Sequence, residues 1–545
     1  MMPDNQYIEV LLLTLIWCIS VDALQPDSDR KIELNPLCHA PYPKSRSIKT
    51  QRTTNVSPPN IIIIVIDDLG WDDISLHGSQ QILTPNIDQI AKEGVLLENY
   101  YTQAICTPSR GALMTGMYPI HLGLQHDVIA GAQPWGLPAE FKIMPQYLEG
   151  AGYESHIVGK WHLGHSRSEL LPTQRGFKTH FGFRLGHSDY YNHWGSESSL
   201  VSGELYKGLD LWTNQLPEQR FHGKYANDIF TKRAINILEN HNMSKPLFLY
   251  IAHQAVHVAN SEAPLQAPLA FIDKYNAKIL DEKRRHYAAM VSAMDSSVGD
   301  LMKAVKDNGY AQNTILFFTN DNGGPTNGMA NSGSSNHPLR GSKYTLWEGG
   351  VRGIGIVWAP GLLNKGKYTK LVHISDILPT VLQAIGQPIP LEFDGISFWD
   401  QLRTATGDHR TELLHNVDTV WGTSAYRLGD FKLISGIWDG GRYDGWYPTV
   451  EATSFKRTVK CAGNGTYCNG ANRPCLYNLR EDPCEQNDVF DEHPDIVKAI
   501  TTKIRCYAKT MRPIENRPNT NAADPANFNF IWMPWEDYTM LDSIR

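Results

Sequence analysis

Six consecutive β-branched residues, Ile61–Ile66 (IIIIVI), run straight into Asp67-Asp68-Leu69-Gly70. A run with no polar alternation has no face to give to water. It reads as a strand buried on both sides, as in a parallel sheet covered by helices. The pattern recurs at Thr314–Asn320, followed by Asp321-Asn322-Gly323-Gly324, and more loosely at Leu247–His253. A further apolar run, Val351–Trp358, stops at Ala359-Pro360. Between these runs, Thr84–Glu93 and Lys283–Asp307 carry apolar residues at three- and four-residue steps, which predicts helices. Strands alternating with helices argue an α/β fold built on a mainly parallel sheet. Ligands in such folds bind beyond the carboxyl ends of strands, and both acidic clusters fall there.

From about residue 410 the texture changes. Thr423–Gly436 and Cys475–Leu479 read as half-buried strands around polar turns, and Asp495–Lys509 as a closing helix. The expected organisation is a signal peptide over 1–23, an arm over 24–57, a catalytic α/β domain over 58–405 and a smaller disulfide-rich α+β subdomain over 406–545. A chain of 545 residues, 41% hydrophobic, can bury cores of that size. With 50 Lys+Arg against 57 Asp+Glu there is no basic footprint for a nucleic acid. A mean hydropathy of −0.35 excludes a multi-span membrane protein.

The apolar run Val10–Ile19, followed by Ser20-Val21-Asp22-Ala23, is too short to span a bilayer comfortably. It fits the core of a secretory signal, although no Lys or Arg precedes it. No later stretch reaches 18 apolar residues, so no span is expected in the mature chain. Eight cysteines are present, and Cys461, Cys468, Cys475, Cys484 and Cys506 crowd the C-terminal part. Their spacing is wider than zinc-binding pairs, and in an exported chain disulfides are the better reading. With Cys18 removed and Cys106 set aside, Cys38 and these five make six, open to 15 pairings. Sequons at Asn55, Asn242 and Asn464 agree with passage through the endoplasmic reticulum as a glycoprotein.

Two motif matches are decoys. Gly361–Tyr368 (GLLNKGKY) resembles a phosphate-binding loop but ends in Tyr where a Mg²⁺-binding hydroxyl is needed. His253-x₃-His257 has a zinc-protease spacing without the general-base Glu. The informative string is Cys106-Thr107-Pro108-Ser109-Arg110, continuing to Thr115-Gly116. It places a cysteine in a polar turn before a helix that Thr107 or Ser109 could cap, where the helix N-terminus favours developing negative charge. A second long motif follows at Gly152–Gly164 (GYESHIVGKWHLG).

Together these two strings resemble the paired signatures of type I sulfatases, in which an enzyme of the endoplasmic reticulum oxidises the cysteine to formylglycine. Tyr100–His126, Pro172–Phe177, Pro246–His257, Asp321–Gly324 and Leu339–Gly353 look like the arylsulfatase B branch, the N-acetylgalactosamine-4-sulfatases. The likeness covers about 58–405 and thins beyond. Ser155 stands where the signature commonly has Thr, Ala130–Trp135 lacks cysteines that branch often carries, and the segment after His257 is longer.

The resemblance implies an alkaline-phosphatase-like α/β fold and one Ca²⁺ held by Asp67, Asp68, Asp321, Asn322 and the formylglycine at Cys106. All-oxygen ligands at strand ends suit such a cation independently. One hydroxyl of the hydrated aldehyde attacks sulfur, and the other later loses its proton to expel sulfate. Arg110, Lys160 and His162 surround the diol, Lys343 meets the sulfate, and His257 protonates the leaving alcohol. Implied partners are the formylglycine-generating enzyme and a sulfated carbohydrate or aryl sulfate, in the lysosome or outside the cell. A sulfated plant glucoside is an alternative substrate. The rivals are a two-zinc phosphomonoesterase or phosphodiesterase of the same fold and a non-catalytic sulfate-ester binder.

Overall fold

The computed structural model describes residues 58–198, 205–328, 331–451, 459–461 and 465–538. The expected signal peptide, the arm with Cys38 and Asn55, and the sequon at Asn464 lie outside the described residues.

Strand β1 (Asn60–Ile66) is buried along its whole length, as the β-branched run requires. Ile62, Ile64 and Ile66 enter one core with helices α1 (Pro85–Glu93), α3 (Ala226–Asn240) and α4 (Glu282–Asp307). Ile61, Ile63 and Val65 enter a second core with α2 (Cys106–Thr115) and α5 (Ile377–Ala384). Alternate side chains of one strand thus hold both helical layers, each contributing about 1.5–3 kcal/mol of burial. Helix α4 starts where Asp281 accepts a hydrogen bond from the Arg284 amide at 2.7 Å.

The sheet also contains β2 (Val95–Tyr101), β3 (Glu154–Lys160), β4 (Thr179–Phe183), β7 (Trp212–Thr213) and β8 (Leu216–Pro217). A hairpin of β5 (Trp194–Ser198) and β6 (Leu205–Leu209) stands apart. The sheet is completed by β9 (Leu247–His253), β10 (Thr314–Asn320), β11 (Gly355–Trp358) and β12 (Gly366–His373). The order is β12-β2-β11-β10-β1-β9-β3-β4-β7-β8. Strands β10, β1, β9, β3 and β4 are mutually parallel. The run Val351–Trp358 divides: Val351 closes a short helix from Glu348, and only Gly355–Trp358 is strand, antiparallel to both neighbours. The phosphate-loop look-alike is a turn leading into β12, with no helix to receive a phosphate.

Beyond the ten-stranded sheet, β13 (Glu412–Asp418), β14 (Thr423–Leu428), β15 (Phe431–Ser435) and β16 (Cys475–Asn478) form a four-stranded antiparallel sheet. Helix α6 (Pro494–Ala508) covers it through Ile500 and Ile504. Disulfides join Cys461 to Cys484 and Cys468 to Cys475, and Cys506 is disulfide-bonded as well. The tail then leaves this unit. Trp532 and Trp535 bury against Ala132, Leu185 and Tyr206, and the Leu209 amide donates to Phe530 O at 2.7 Å. Among the described residues no helix is long and apolar enough to cross a membrane.

Candidate active site

Four adjacent parallel strands deliver the site. Asp67 and Asp68 follow β1, Asp321 and Asn322 follow β10, Lys160 ends β3, and His257 lies four residues past β9. Helix α2 supplies Cys106 and Arg110, and the loop before Glu348 supplies Lys343. Close approach near the site is set by glycine. Gly159, at φ 100°, would place a Cβ 1.9 Å from Ala252 O, so a side chain there would push β3 off β9.

The charges are tightly interleaved. Lys160 Nζ donates to Asp67 Oδ2 at 2.7 Å, and Arg110 donates through Nε and Nη2 to Asp321 Oδ2 at 3.1 and 2.8 Å. Lys343 Nζ lies 2.7 Å from Asp68 Oδ1 and 2.9 Å from Oδ2. The Asp68 amide donates to Asp321 Oδ1 at 3.3 Å. All six side chains are buried. Three carboxylates therefore face three cations. Burial, with Asp321 and Asp68 nearby, pushes the Asp67 carboxyl up to about 7.

Several polar atoms remain uncommitted. Asn322 Nδ2 donates to Asp68 Oδ1 at 2.7 Å, while its Oδ1 is buried without a partner, as is Arg110 Nη1. His162 Nε2 faces Ile129 O at 3.2 Å. A carbonyl only accepts, so Nε2 carries the proton and Nδ1 presents an unpartnered lone pair. His257 is oriented by the same logic: Nδ1 donates to Val258 O at 2.7 Å, and Nε2 lies 3.5 Å from Asp68 Oδ2. Burial, Lys343 and Lys160 hold His257 well below the usual imidazole range. For His162 burial, Lys160 and Arg110 do the same.

Cys106 opens α2, and its Sγ is 3.7 Å from Asp67 Oδ1. Burial outweighs Lys160 and Lys343 and pushes the thiol up to about 12. The expected caps do not form, since no side chain caps α2. Thr107 instead donates to His162 O at 3.1 Å and accepts from the Ile129 amide. Ser109 accepts from the Gln103 amide and donates to Asp321 O. Helix start and strand ends are thereby tied together, a use of these hydroxyls that only the packed structure reveals.

Ligand atoms of Asp67, Asp68, Cys106 and His257 lie within 4.8 Å of one another. With Asp321 alongside and the orphaned Asn322 oxygen, the donor set fits a hard divalent cation. Every site residue expected from the sequence is brought to this centre, apart from the sequons. Asn242 is exposed in the turn after α3. Sequence reasoning missed the surroundings. The His187 ring stacks on His257 at 5.7 Å, His126 Nδ1 donates to Asp418 Oδ2 at 3.0 Å, and Trp421 lies 4.7 Å from His126. Tyr344, next to Lys343, stacks on Trp438 at 4.4 Å. His126 and Tyr344 fall within the family-like stretches Tyr100–His126 and Leu339–Gly353 without being singled out there, while His187, Trp421 and Trp438 lie in no motif, the last two coming from the small-sheet unit.

A centre of this kind, on this sheet, is that of a sulfuric ester hydrolase: residues 59–387 match the Sulfatase family, to which the chain belongs. Mouse arylsulfatase J is 38% identical over 513 residues, covering 89% of this chain and 81% of that protein. Mouse N-acetylgalactosamine-6-sulfatase is 29% identical, covering 88% and 90%. Human arylsulfatase A is 30% identical, covering 81% and 86%. The crystal structure of Ps i-CgsB superposes with a TM-score of 0.70 at 26% identity, covering 89% and 99%. These relatives spread over several branches, so the arylsulfatase B likeness rests on the motifs alone.

Proposed function

We propose that the chain hydrolyses sulfate monoesters of carbohydrates, using formylglycine made from Cys106 and one Ca²⁺ held by Asp67, Asp68, Asp321 and Asn322. The carrying observation is the state of residue 106. It occupies the centre, yet its thiol is pushed to about 12, and the neighbouring hydroxyls of Thr107 and Ser109 are spent on the backbone. Formylglycine in place of the thiol follows from the likeness of Cys106–Arg110 and Gly152–Gly164 to the sulfatase signatures, and the burial of Cys106 beside Asp67 supports it. As a hydrated aldehyde, residue 106 would offer one hydroxyl for attack on sulfur and a second whose deprotonation would release sulfate, and Asp67, Asp68, Asp321 and Asn322 would hold a cation able to offset charge on the sulfate oxygens.

The remaining work falls to the chain's own groups. His162 Nδ1, an unpartnered acceptor, is suited to take a proton from a hydroxyl at residue 106. Lys160, Arg110 and Lys343 offset the negative charge of the substrate. His257 directs Nε2 at the centre, so its protonated form aims an N–H at the leaving oxygen. The proton reaches it more readily in a mildly acidic compartment.

Rim aromatics favour a saccharide. Tyr344, Trp421 and Trp438 are half-buried beside Lys343 and offer apolar ring surface. A relative is named for N-acetylgalactosamine-6-sulfate, and Ps i-CgsB has been solved with k-i-k-neocarrahexaose. The disulfides support an oxidising, secretory route, and with it an encounter with the formylglycine-generating enzyme. The small sheet supports a second unit after residue 405, with the tail returning to the first. Intact mass across Cys106 and turnover on a panel of sugar, glucoside and aryl sulfates test the proposal. An unmodified thiol in active enzyme would overturn the chemistry, and turnover confined to aryl esters would overturn the substrate class.

A further inference from the structure

Strand β3 carries Lys160 at its catalytic end and a second cluster at its start. Ligand atoms of Glu154, His156 and His241 lie within 4.8 Å of one another. Glu154 and His156 are two apart on a strand and share a face. His241 is the residue that ends α3.

Each ring has one nitrogen tied down and one left over. His156 Nδ1 is 2.8 Å from Thr179 Oγ1, leaving Nε2. His241 Nε2 is 2.9 Å from Lys245 O. The carbonyl must accept, so Nε2 bears the hydrogen and Nδ1 bears a lone pair. That Nδ1 is buried and has no partner. A buried acceptor without a donor costs stability unless something electrophilic reaches it. Fixing one ring nitrogen by a hydrogen bond so that the other can ligate is how metal-binding histidines are held. The two rings stand nearly perpendicular, at 87° with centroids 6.4 Å apart. Glu154 is engaged by Lys178 at 2.7 Å and Lys245 at 2.6 Å. Both lysines are more than half exposed and can swing into solvent.

We propose that Glu154, His156 and His241 form a second metal site, for a borderline transition-metal dication of the Zn²⁺ type. Two imidazoles and one carboxylate select such ions over Ca²⁺, the reverse of the all-oxygen set at Asp67 and Asp68. The ion pins the end of α3 to the start of β3, about 20 Å along the strand from Lys160. Its effect is on stability and not on turnover.

The test is titration calorimetry and thermal melting of the full chain with Zn²⁺ alone, in saturating Ca²⁺. Wild type should bind zinc and melt higher with it. Losing even a supporting partner of a ligand costs roughly 10–100-fold in affinity, so His241→Ala should weaken binding by at least ~10-fold. His241 is half-buried at a helix end, and the variant should keep its Ca²⁺-dependent melt and sulfatase rate. Glu154→Gln, which leaves both rings in place, should weaken zinc less and gives a second reading. Cu²⁺ in place of Zn²⁺ should show fewer coordinating nitrogens by paramagnetic resonance in His241→Ala. Zinc isotherms identical in wild type and His241→Ala, or no zinc binding by wild type, overturn the site.

Discussion

Two of the molecule's buried charge clusters are built to different ends. At the catalytic centre, Asp67, Asp68 and Asp321 meet Arg110, Lys160 and Lys343, with Arg110 Nη1, Asn322 Oδ1 and His162 Nδ1 left over. Where the small sheet meets the ten-stranded sheet's side of the molecule, Lys432 lies 2.9 Å from both Glu348 and Glu485. Tyr101 donates to Glu348 Oε2, and Arg427 to the Tyr101 hydroxyl. The Glu348 amide donates to Glu485 Oε2 at 2.7 Å. In that second cluster each carboxylate meets Lys432 as an ion pair, although Glu485 Oε1 makes no hydrogen bond, and the cluster joins β2, β14, β15 and the helix starting at Glu348. The first leaves Arg110 Nη1, Asn322 Oδ1 and His162 Nδ1 without partners, as the proposed cation and sulfate ester require. Two buried clusters of similar composition thus separate into a lock and a site by what each leaves unpaired.

The comparison breaks most visibly at Cys106. Cys106→Ala should cost at least ~10⁴-fold in turnover, on the scale of losing a catalytic nucleophile elsewhere, with the fold retained. Cys106→Ser should complete one turnover at most and stop, seen as a burst without a steady state. A steady state near wild type in either variant would falsify the nucleophile's assignment.

His257 gives the next effect. With a sugar sulfate, whose alkoxide leaves poorly, His257→Ala should cost ~10²–10⁴-fold, the usual worth of a general acid. With nitrophenyl sulfate, which needs no proton, the loss should be much smaller. Paired kcat measurements decide it, since equal losses on both esters would leave His257 only a role in binding.

The lock should respond in stability and not in chemistry. Lys432→Met strands Glu348 and Glu485 without their ammonium, and breaking a buried pair costs about 3–5 kcal/mol. Denaturant unfolding should show it, and added Ca²⁺ should not restore it. In Asp68→Asn, by contrast, the stabilisation by Ca²⁺ itself should shrink. A Lys432→Met protein as stable as wild type would mean that the pair is no lock.

The smallest expected effect is on pH dependence. Burial first, then Glu348, pushes the Glu485 carboxyl up from 4.5 to about 7 despite Lys432. Its folded form holds the proton more tightly than its unfolded form. Its contribution is therefore full below about pH 4.5 and is lost as pH rises through about 7. Glu485→Gln cannot ionise, so its melting temperature should fall less than that of wild type between pH 5 and pH 8. Parallel declines in the two proteins would assign the pH dependence to other groups.

Much of this was legible in the sequence because the information was local. Six β-branched residues could only be a strand buried on both faces, and an Asp pair behind it could only sit at a strand's carboxyl end. The same holds for Thr314–Asn320 and Asp321. The two motifs placed Cys106, Arg110, Lys160 and His162 together, and they converge as expected. The C-terminal strands and helix were readable from their alternation and spacing.

What the sequence could not decide depends on contacts between distant segments. Thr107 and Ser109 read as helix caps by position, but backbone groups at Ile129, His162, Gln103 and Asp321 compete for them and win. The tail reads as part of the last unit. It returns to the first because Trp532 and Trp535 pack in one apolar cluster with Ala132, Leu185 and Tyr206. Trp421, Trp438 and His187 carry no motif and gain meaning only beside Lys343 and His257. Local pattern fixes which residues become strand, helix or nucleophile, because that follows from period and backbone preference. Which buried charge is closed and which is left open to a ligand is decided by packing, because partners 84 and 275 residues apart, as for Lys432–Glu348 and Lys343–Asp68, meet only in the folded chain.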